Sequence, residues 1–188
     1  CSSTARTRLC SPRAAPRRGT AEPLDNTSAI HVCDPMTDAP GTYALLLRAA
    51  DEQSIEVGAL GDMAVRPGTY VYVGSAFGPG GLRARVGRHA RGDGALHWHV
   101  DYLRAVTTLG AVWYTHDPER RECTWAETLR SLSGATVPVN GFGASDCVCP
   151  AHLVRINPAP SVSAFRTRLR ERCPDHAPVE RAETRELL

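Results

Sequence analysis

One stretch limits the possible folds of this chain more than any other. Tyr70-Val-Tyr-Val-Gly-Ser-Ala76 alternates aromatic and β-branched residues, the pattern of a strand packed on a pleated surface. A glycine-rich turn follows, and Gly80-Gly-Leu-Arg-Ala-Arg-Val-Gly-Arg-His89 then reads as a short helix over about 81–90. Leu82 and Val86 stand four apart on its apolar row, and Arg85 and His89 stand four apart one step round from it. A strand that feeds such a helix brings an arginine and a histidine close to its own tyrosines.

The flanking sequence supplies the rest of a small domain. Thr42–Arg48 is an apolar run of strand length, Ser54–Val57 alternates, and Ala49–Gln53 between them reads as a hairpin loop. With Thr69–Gly74 as a third strand, the expectation is an antiparallel meander. His97–Leu103 fits either a strand or a helix with Trp98, Tyr102 and Val106 on its core face, and helix is the preferred reading. Leu109–Thr115 reads as a strand and Glu122–Leu132 as a helix that buries Trp125, Leu129 and Leu132. Gly141–Pro150 is loop-like, and His152–Ile156 reads as an edge strand. The expected fold is α+β, a small central antiparallel or mixed sheet flanked by helices, over residues 40–156. Residues 1–38 read as a disordered Arg/Pro-rich tail. Residues 157–188 read as a C-terminal helix and tail, with Val162, Phe165 and Leu169 on the helix.

Composition narrows the chemistry. All 22 basic residues are arginine, which excludes lysine Schiff bases and a lysine-dependent phosphate loop. The net charge is only +2, and the 40–156 segment balances 11 Arg against 11 Asp and Glu, so nucleic-acid binding must rest on a local cluster. Arg83, Arg85, Arg88 and Arg91 form one, either a phosphate-facing surface or a solvated helix face. No apolar run approaches the roughly 18 residues that span a bilayer. Seven cysteines at irregular spacing and no apolar signal segment favour reduced thiols in the cytoplasm; the Arg-rich start also has the character of an organellar transit peptide.

Gly41-Thr-Tyr43, Tyr72-Val-Gly74, Arg85-x-x-x-His89 and a helical Glu122 occur in that order. This series resembles the GIY-YIG nuclease superfamily. Tyr-Val-Tyr-Val-Gly-Ser-Ala, His-Trp-His-x-Asp-Tyr-Leu and Ser-Asp-Cys-x-Cys-x-x-His-Leu resemble its Uri-type branch, over 41–156. The resemblance implies a DNA endonuclease using Mg²⁺ or Mn²⁺, with Tyr72 as base or water-positioner, Tyr43 in support, Arg85 stabilising charge and Glu122 binding the metal. Thr42 stands where the superfamily has Ile. Tyr43 and Tyr72 are 29 residues apart, room for an extra strand.

The chemistry agrees with these residue types. A phenol beside cations can lose enough basicity to act as a general base, a guanidinium can fork onto a phosphate, and one carboxylate suits a Mg²⁺ that keeps most of its waters. His89 can relay a proton or touch the phosphate, and His97 and His99 can line the groove. Each residue has a plainer reading: the tyrosines as cross-strand packing, Glu122 as a helix-start charge, His99 and Asp101 as a structural pair. Glu127 competes with Glu122 for the metal. Cys147-x-Cys149-x-x-His152 is a zinc candidate, completed by Cys123 or by the His97/His99/Asp101 group, with buried or redox-active thiols as the alternative. The rivals to a nuclease are a non-catalytic nucleic-acid-binding module and a zinc- or thiol-based regulatory domain.

Overall fold

A computed structural model of the chain describes residues 36–92 and 96–187. The expected N-terminal tail lies outside the described residues apart from its last three positions. In chain order the elements are β1 (Thr42–Ala49), β2 (Gln53–Glu56), β3 (Asp62–Val65), β4 (Gly68–Ser75), α1 (Gly81–Arg91), α2 (His99–Arg104), β5 (Thr108–Thr115), α3 (Glu122–Arg130), β6 (Ala135–Thr136), β7 (Leu153–Ile156), α4 (Val162–Arg172) and β8 (Glu180–Glu183). The fold is α+β.

Six strands form one sheet in the order β6-β7-β4-β1-β5-β8, and every described pairing is antiparallel. β1 is bonded along its whole length to β4, from Thr42 opposite Ser75 to Ala49 opposite Gly68, and to β5 on its other side. A strand with neighbours on both edges and layers on both faces must be apolar throughout, which is why Thr42–Arg48 reads as a run and not as an alternation.

Alternate side chains serve two cores. Tyr43, Leu45 and Leu47 of β1 join Tyr70 and Tyr72 of β4 under Leu82 and Val86 of α1 and Val100 and Leu103 of α2. Ala44, Val71, Val73 and Trp113 face the other way, against Trp125 and Leu129 of α3 and Phe165 and Leu169 of α4. The molecule is three layers deep, helix pair on sheet on helix pair.

Four expectations are corrected. The strands do not form a meander: β2 and β3 pair only with each other, as a separate two-stranded ribbon inserted between β1 and β4. That ribbon fills the long interval between Tyr43 and Tyr72. β7 is not the edge strand, since β6 pairs outside it. Nor does the sheet end at residue 156: beyond the expected helix α4, β8 pairs with β5 from Ala111–Glu183 to Tyr114–Glu180. Helix α2 also sits rotated from its expected pose, burying Val100 and Leu103 while Trp98 stays 43% exposed.

The C-terminal segment docks through buried Asp117, whose carboxylate accepts the N–H groups of Glu119 at 2.9 Å and Ala177 at 3.1 Å and pairs with Arg121 at 3.1 Å. Apolar packing completes the attachment, with the Phe165 ring 5.1 Å from Trp113 and 5.0 Å from Trp125. No helix among the described residues is long and apolar enough to cross a membrane. Phe165→Ala should therefore cost about 3–5 kcal/mol, the range for emptying a buried aromatic site. Urea denaturation checks this; a loss under 1 kcal/mol would show that α4 is dispensable to the core.

Candidate active site

Tyr43 owes its position to a missing side chain. It lies opposite Gly74 in the β1–β4 register, and a Cβ on Gly74 would fall 2.6 Å from the Tyr43 hydroxyl oxygen. The phenol crosses over that glycine toward α1, where its oxygen lies 3.0 Å from His89 Nε2. The other ring nitrogen, Nδ1, faces Asp101 Oδ1 at 3.7 Å. Asp101 Oδ2 accepts from the backbone N–H groups of His97 (3.0 Å) and Trp98 (2.9 Å) and from Arg88 Nη2 (2.9 Å). Burial alone would raise the Asp101 carboxyl, but the Trp98 and His97 amides and Arg88 outweigh it and hold the group ionised below its ordinary range.

His89 is buried, and desolvation takes its pKa down to about 4 against the opposing pull of Asp101. It is neutral at physiological pH. The tautomer that suits both contacts carries its proton on Nδ1, toward Asp101, and accepts the Tyr43 O–H at Nε2.

Tyr72, two residues before Gly74, packs edge-on against Phe142 at 6.0 Å. Gly143 has φ +70°, and a Cβ there would meet the Tyr72 ring at 2.8 Å, so a glycine is required on both grounds. The Gly143 N–H donates to His99 Nδ1 at 3.1 Å. His99 thus pins the 141–150 loop, and the expected pair with Asp101 does not form. Neither phenol is acidified. Burial first, then Tyr72, raises Tyr43 well above its ordinary value; burial first, then Glu122, raises Tyr72. Arg85 lowers both and does not prevail, which corrects the expectation that a nearby cation makes one of them an ionised base.

Glu122 opens α3, half-buried. The helix entry is fixed by Thr42, whose buried Oγ1 accepts the Arg121 N–H at 3.1 Å. An isoleucine at that position would offer no such acceptor. Glu127 points elsewhere, exposed and paired with Arg172 at 2.6 Å.

These side chains share one groove of about 680 Å³. It is lined by Tyr43, Tyr72, Arg85, His89 and Glu122, by His97, Trp98 and His99, and by His152. Arg83, Arg88 and Arg91 do not line it. On a helix Arg83 and Arg85 point about 160° apart, so the arginine cluster is no single face. Arg83 and Arg91 are exposed, and Arg88 serves Asp101. Sequence reasoning missed Asp146, Ser75, Phe77 and Arg120, which also line the groove. Arg120 bonds Ser75 Oγ at 2.9 Å and lies 4.8 Å over the Phe77 ring, and Arg85 lies 5.4 Å over Trp98. Asp146 had a signal, its place in Ser-Asp-Cys-x-Cys; Arg120 had none beyond its charge.

Next to the groove, Cys123, Cys147, Cys149 and His152 place their ligand atoms within 4.8 Å of one another, a group that could hold a metal ion. The completing residue is Cys123, not the His97/His99/Asp101 group. Local desolvation of its sulfur, although the residue as a whole is exposed, and the neighbouring Cys149 and Cys147 thiols push the Cys123 thiol up to about 12.

The model of a family described as a domain of unknown function, DUF123, matches residues 42–174. The chain belongs to this family. The match takes in β1, the groove, the cysteine–histidine cluster and α4. No curated protein and no solved structure matches the chain.

The His89 environment has a pH consequence. Its folded pKa of about 4 lies below the ordinary 6.5, so the unfolded chain binds the extra proton first. Stability is full above about pH 6.5 and falls as pH drops toward 4, by up to about 3 kcal/mol from this group. His152 and His176, also lowered by burial, act in the same direction. Denaturation midpoints between pH 7 and 4 should fall less steeply in His89→Gln than in the native chain; identical slopes would refute the assignment.

Proposed function

We propose that this chain is a metal-dependent nuclease that hydrolyses phosphodiester bonds in DNA. One observation carries the reading: β1, β4, α1 and α3, distant in sequence, deliver Tyr43, Tyr72, Arg85 with His89, and Glu122 to a single groove. These are the residues by which the chain resembles the GIY-YIG superfamily, and they are the types that phosphoryl chemistry at a diester needs.

Glu122 and Asp146, which both line the groove, offer hard oxygen ligands to Mg²⁺ or Mn²⁺. The ion, when bound, neutralises phosphate charge and lowers the pKa of a bound water. Arg85 forks onto the non-bridging oxygens. Tyr72 holds the attacking water by its hydroxyl. Tyr43 differs from Tyr72 in having a neutral imidazole ready to take its proton: a proton lost by the water reaches the Tyr43 oxygen as Tyr43 passes its own to His89 Nε2. The resulting imidazolium faces the Asp101 carboxylate. As the water oxygen bonds to phosphorus the P–O bond to the leaving oxygen breaks, and that oxygen takes its proton from solvent. Both phenols then act without ionising in the resting site, in keeping with their raised pKa values. The exposed Trp98 and the Arg85 and Arg120 guanidiniums suit a nucleic acid laid along the rim. The Cys₃His group has no part in this chemistry, since thiolates suit zinc and not the oxygen-seeking magnesium.

Purified protein with Mg²⁺ or Mn²⁺ should cleave some member of a panel of single-stranded, duplex, branched and damaged DNAs. Tyr43→Phe and Tyr72→Phe should each slow it by about 10²–10⁴-fold. Arg85→Ala should cost at least about 10²-fold, and Glu122→Gln should abolish metal-dependent cleavage. Tyr70→Phe is the control: Tyr70 lies on the same strand, but its hydroxyl bonds the Arg66 backbone outside the groove. Cleavage unaffected by all four site changes would sink the proposal. Salt-sensitive binding with no cleavage under either metal would show a non-catalytic binding module instead.

A further inference from the structure

We propose that Cys123, Cys147, Cys149 and His152 bind one zinc ion in a closed tetrahedral site that fastens the 141–152 segment to the first turn of α3. The geometry is near that of a loaded centre. Zinc–sulfur and zinc–nitrogen bonds of about 2.3 and 2.0 Å at tetrahedral angles put ligand sulfur and nitrogen about 3.5 Å apart. His152 Nε2 lies 3.8 Å from Cys123 Sγ and 3.3 Å from Cys147 Sγ. All four donor atoms fall within 4.8 Å of one another.

The surroundings are built for the same purpose. Val148, between two of the cysteines, is 102% exposed. Placing an apolar side chain fully in water is unfavourable, and alternation along the loop is what lets Cys147 and Cys149 turn inward together. His152 is buried and packs against Gly143, where an added Cβ would lie 3.4 Å from the His152 Cβ, so the glycine loop closes directly over the ligating residue. Its own backbone is held on both sides: N–H to Phe142 O and C=O from Val73 N–H, each at 2.8 Å. Three thiolates and a divalent cation leave one negative charge, and Arg130, bonded to Ala151 O at 3.3 Å, supplies a positive one beside Cys149.

The site has four protein ligands and no open position, so the ion is structural. The 141–150 stretch has neither helix nor strand, and it carries Gly143, Ser145 and Asp146 to the groove wall. Cys123 follows Glu122 directly. The ion therefore locks loop and helix together at the point where both meet the groove. That consequence for activity rests on the nuclease reading; the ion itself does not.

The test needs no DNA. Full-length protein, purified reduced and without chelator, should carry about one zinc per chain by elemental analysis. Cobalt in its place should give the intense absorption of a tetrahedral thiolate centre, a readout on the native chain that does not depend on a variant folding. Cys147→Ser and Cys149→Ser should each bring bound zinc well below one equivalent. Cys173→Ser should keep it, since Cys173, the remaining cysteine among the described residues, lies outside the group and bonds Asp175. Chelation should lower the melting temperature of the native chain more than that of Cys149→Ser. Native protein that binds neither zinc nor cobalt when reduced, or full zinc content in both cluster variants, would overturn the proposal. So would a disulfide within the group in protein that had never been oxidised. Loss of nuclease activity with zinc retained leaves this assignment standing and counts against the other.

Discussion

The site depends on a close approach that only glycine allows. β1 is hydrogen-bonded on both edges and covered on both faces, so its place in the sheet is fixed by more contacts than that of any outer strand. Along it, Tyr43 lies over Gly74 with no room for a Cβ, and this brings the phenol to His89. A larger residue at 74 would push the ring away from α1, and overpacking of that kind costs about 1–3 kcal/mol before any loss of function. The Tyr43–His89–Asp101 chain then ties β1, α1 and the start of α2 into one unit. Thr42, the neighbouring residue, faces the opposite core and fixes the entry to α3. Two successive residues of one strand position helices on both sides of the sheet.

The electrostatics of the groove are those of a site at rest. Burial dominates every shifted group on its floor: it raises both phenols and lowers His89 and His152. All four are neutral at pH 7. The fixed charges are at the rim or behind the floor: Arg85, Arg120, Glu122 and Asp146 around the opening, and Asp101 with Arg88 beneath His89. A buried, neutral floor with charge at the edge strengthens any interaction with a charged ligand that enters.

How far the sequence reveals this depends on the range of the interactions. Local signals were sufficient for β1, β4, α1, β5 and α3, because period and composition within a dozen residues decide them. Tyr43, Tyr72, Arg85 and Glu122 could be singled out only through the ordered motifs by which the chain resembles the GIY-YIG superfamily, since each taken alone also reads as packing or surface charge. Pairing was not legible. Nothing in Ser54–Val57 tells a main-sheet strand from one that pairs only with its ribbon partner, and the charged Glu180–Glu183 gives little strand signal at all. Its place is set by Asp117 and the aromatic packing of Phe165, contacts some sixty residues away in sequence. The arginine cluster does not gather at the groove because nearness in sequence is not nearness on a helix face. Spacing left Cys123 as one of two completions for Cys147 and Cys149, since the choice depends on how α3 crosses the sheet.

Glu122 and Cys123 are consecutive, yet one lines the groove and the other joins the cysteine–histidine group. Adjacent side chains on a helix differ in direction by about 100°, enough for a single turn to serve two sites. The segment between β5 and α3 is thereby fixed in length as well as in composition. A one-residue insertion or deletion ahead of α3 would rotate a thiol into the groove or a carboxylate into the cluster, spoiling both at once. Variation in this family should spare the spacing from Asp117 to Cys123 even where the intervening residues change, while the β2–β3 ribbon, which shares no strand pairing with the sheet, is free to lengthen or shorten.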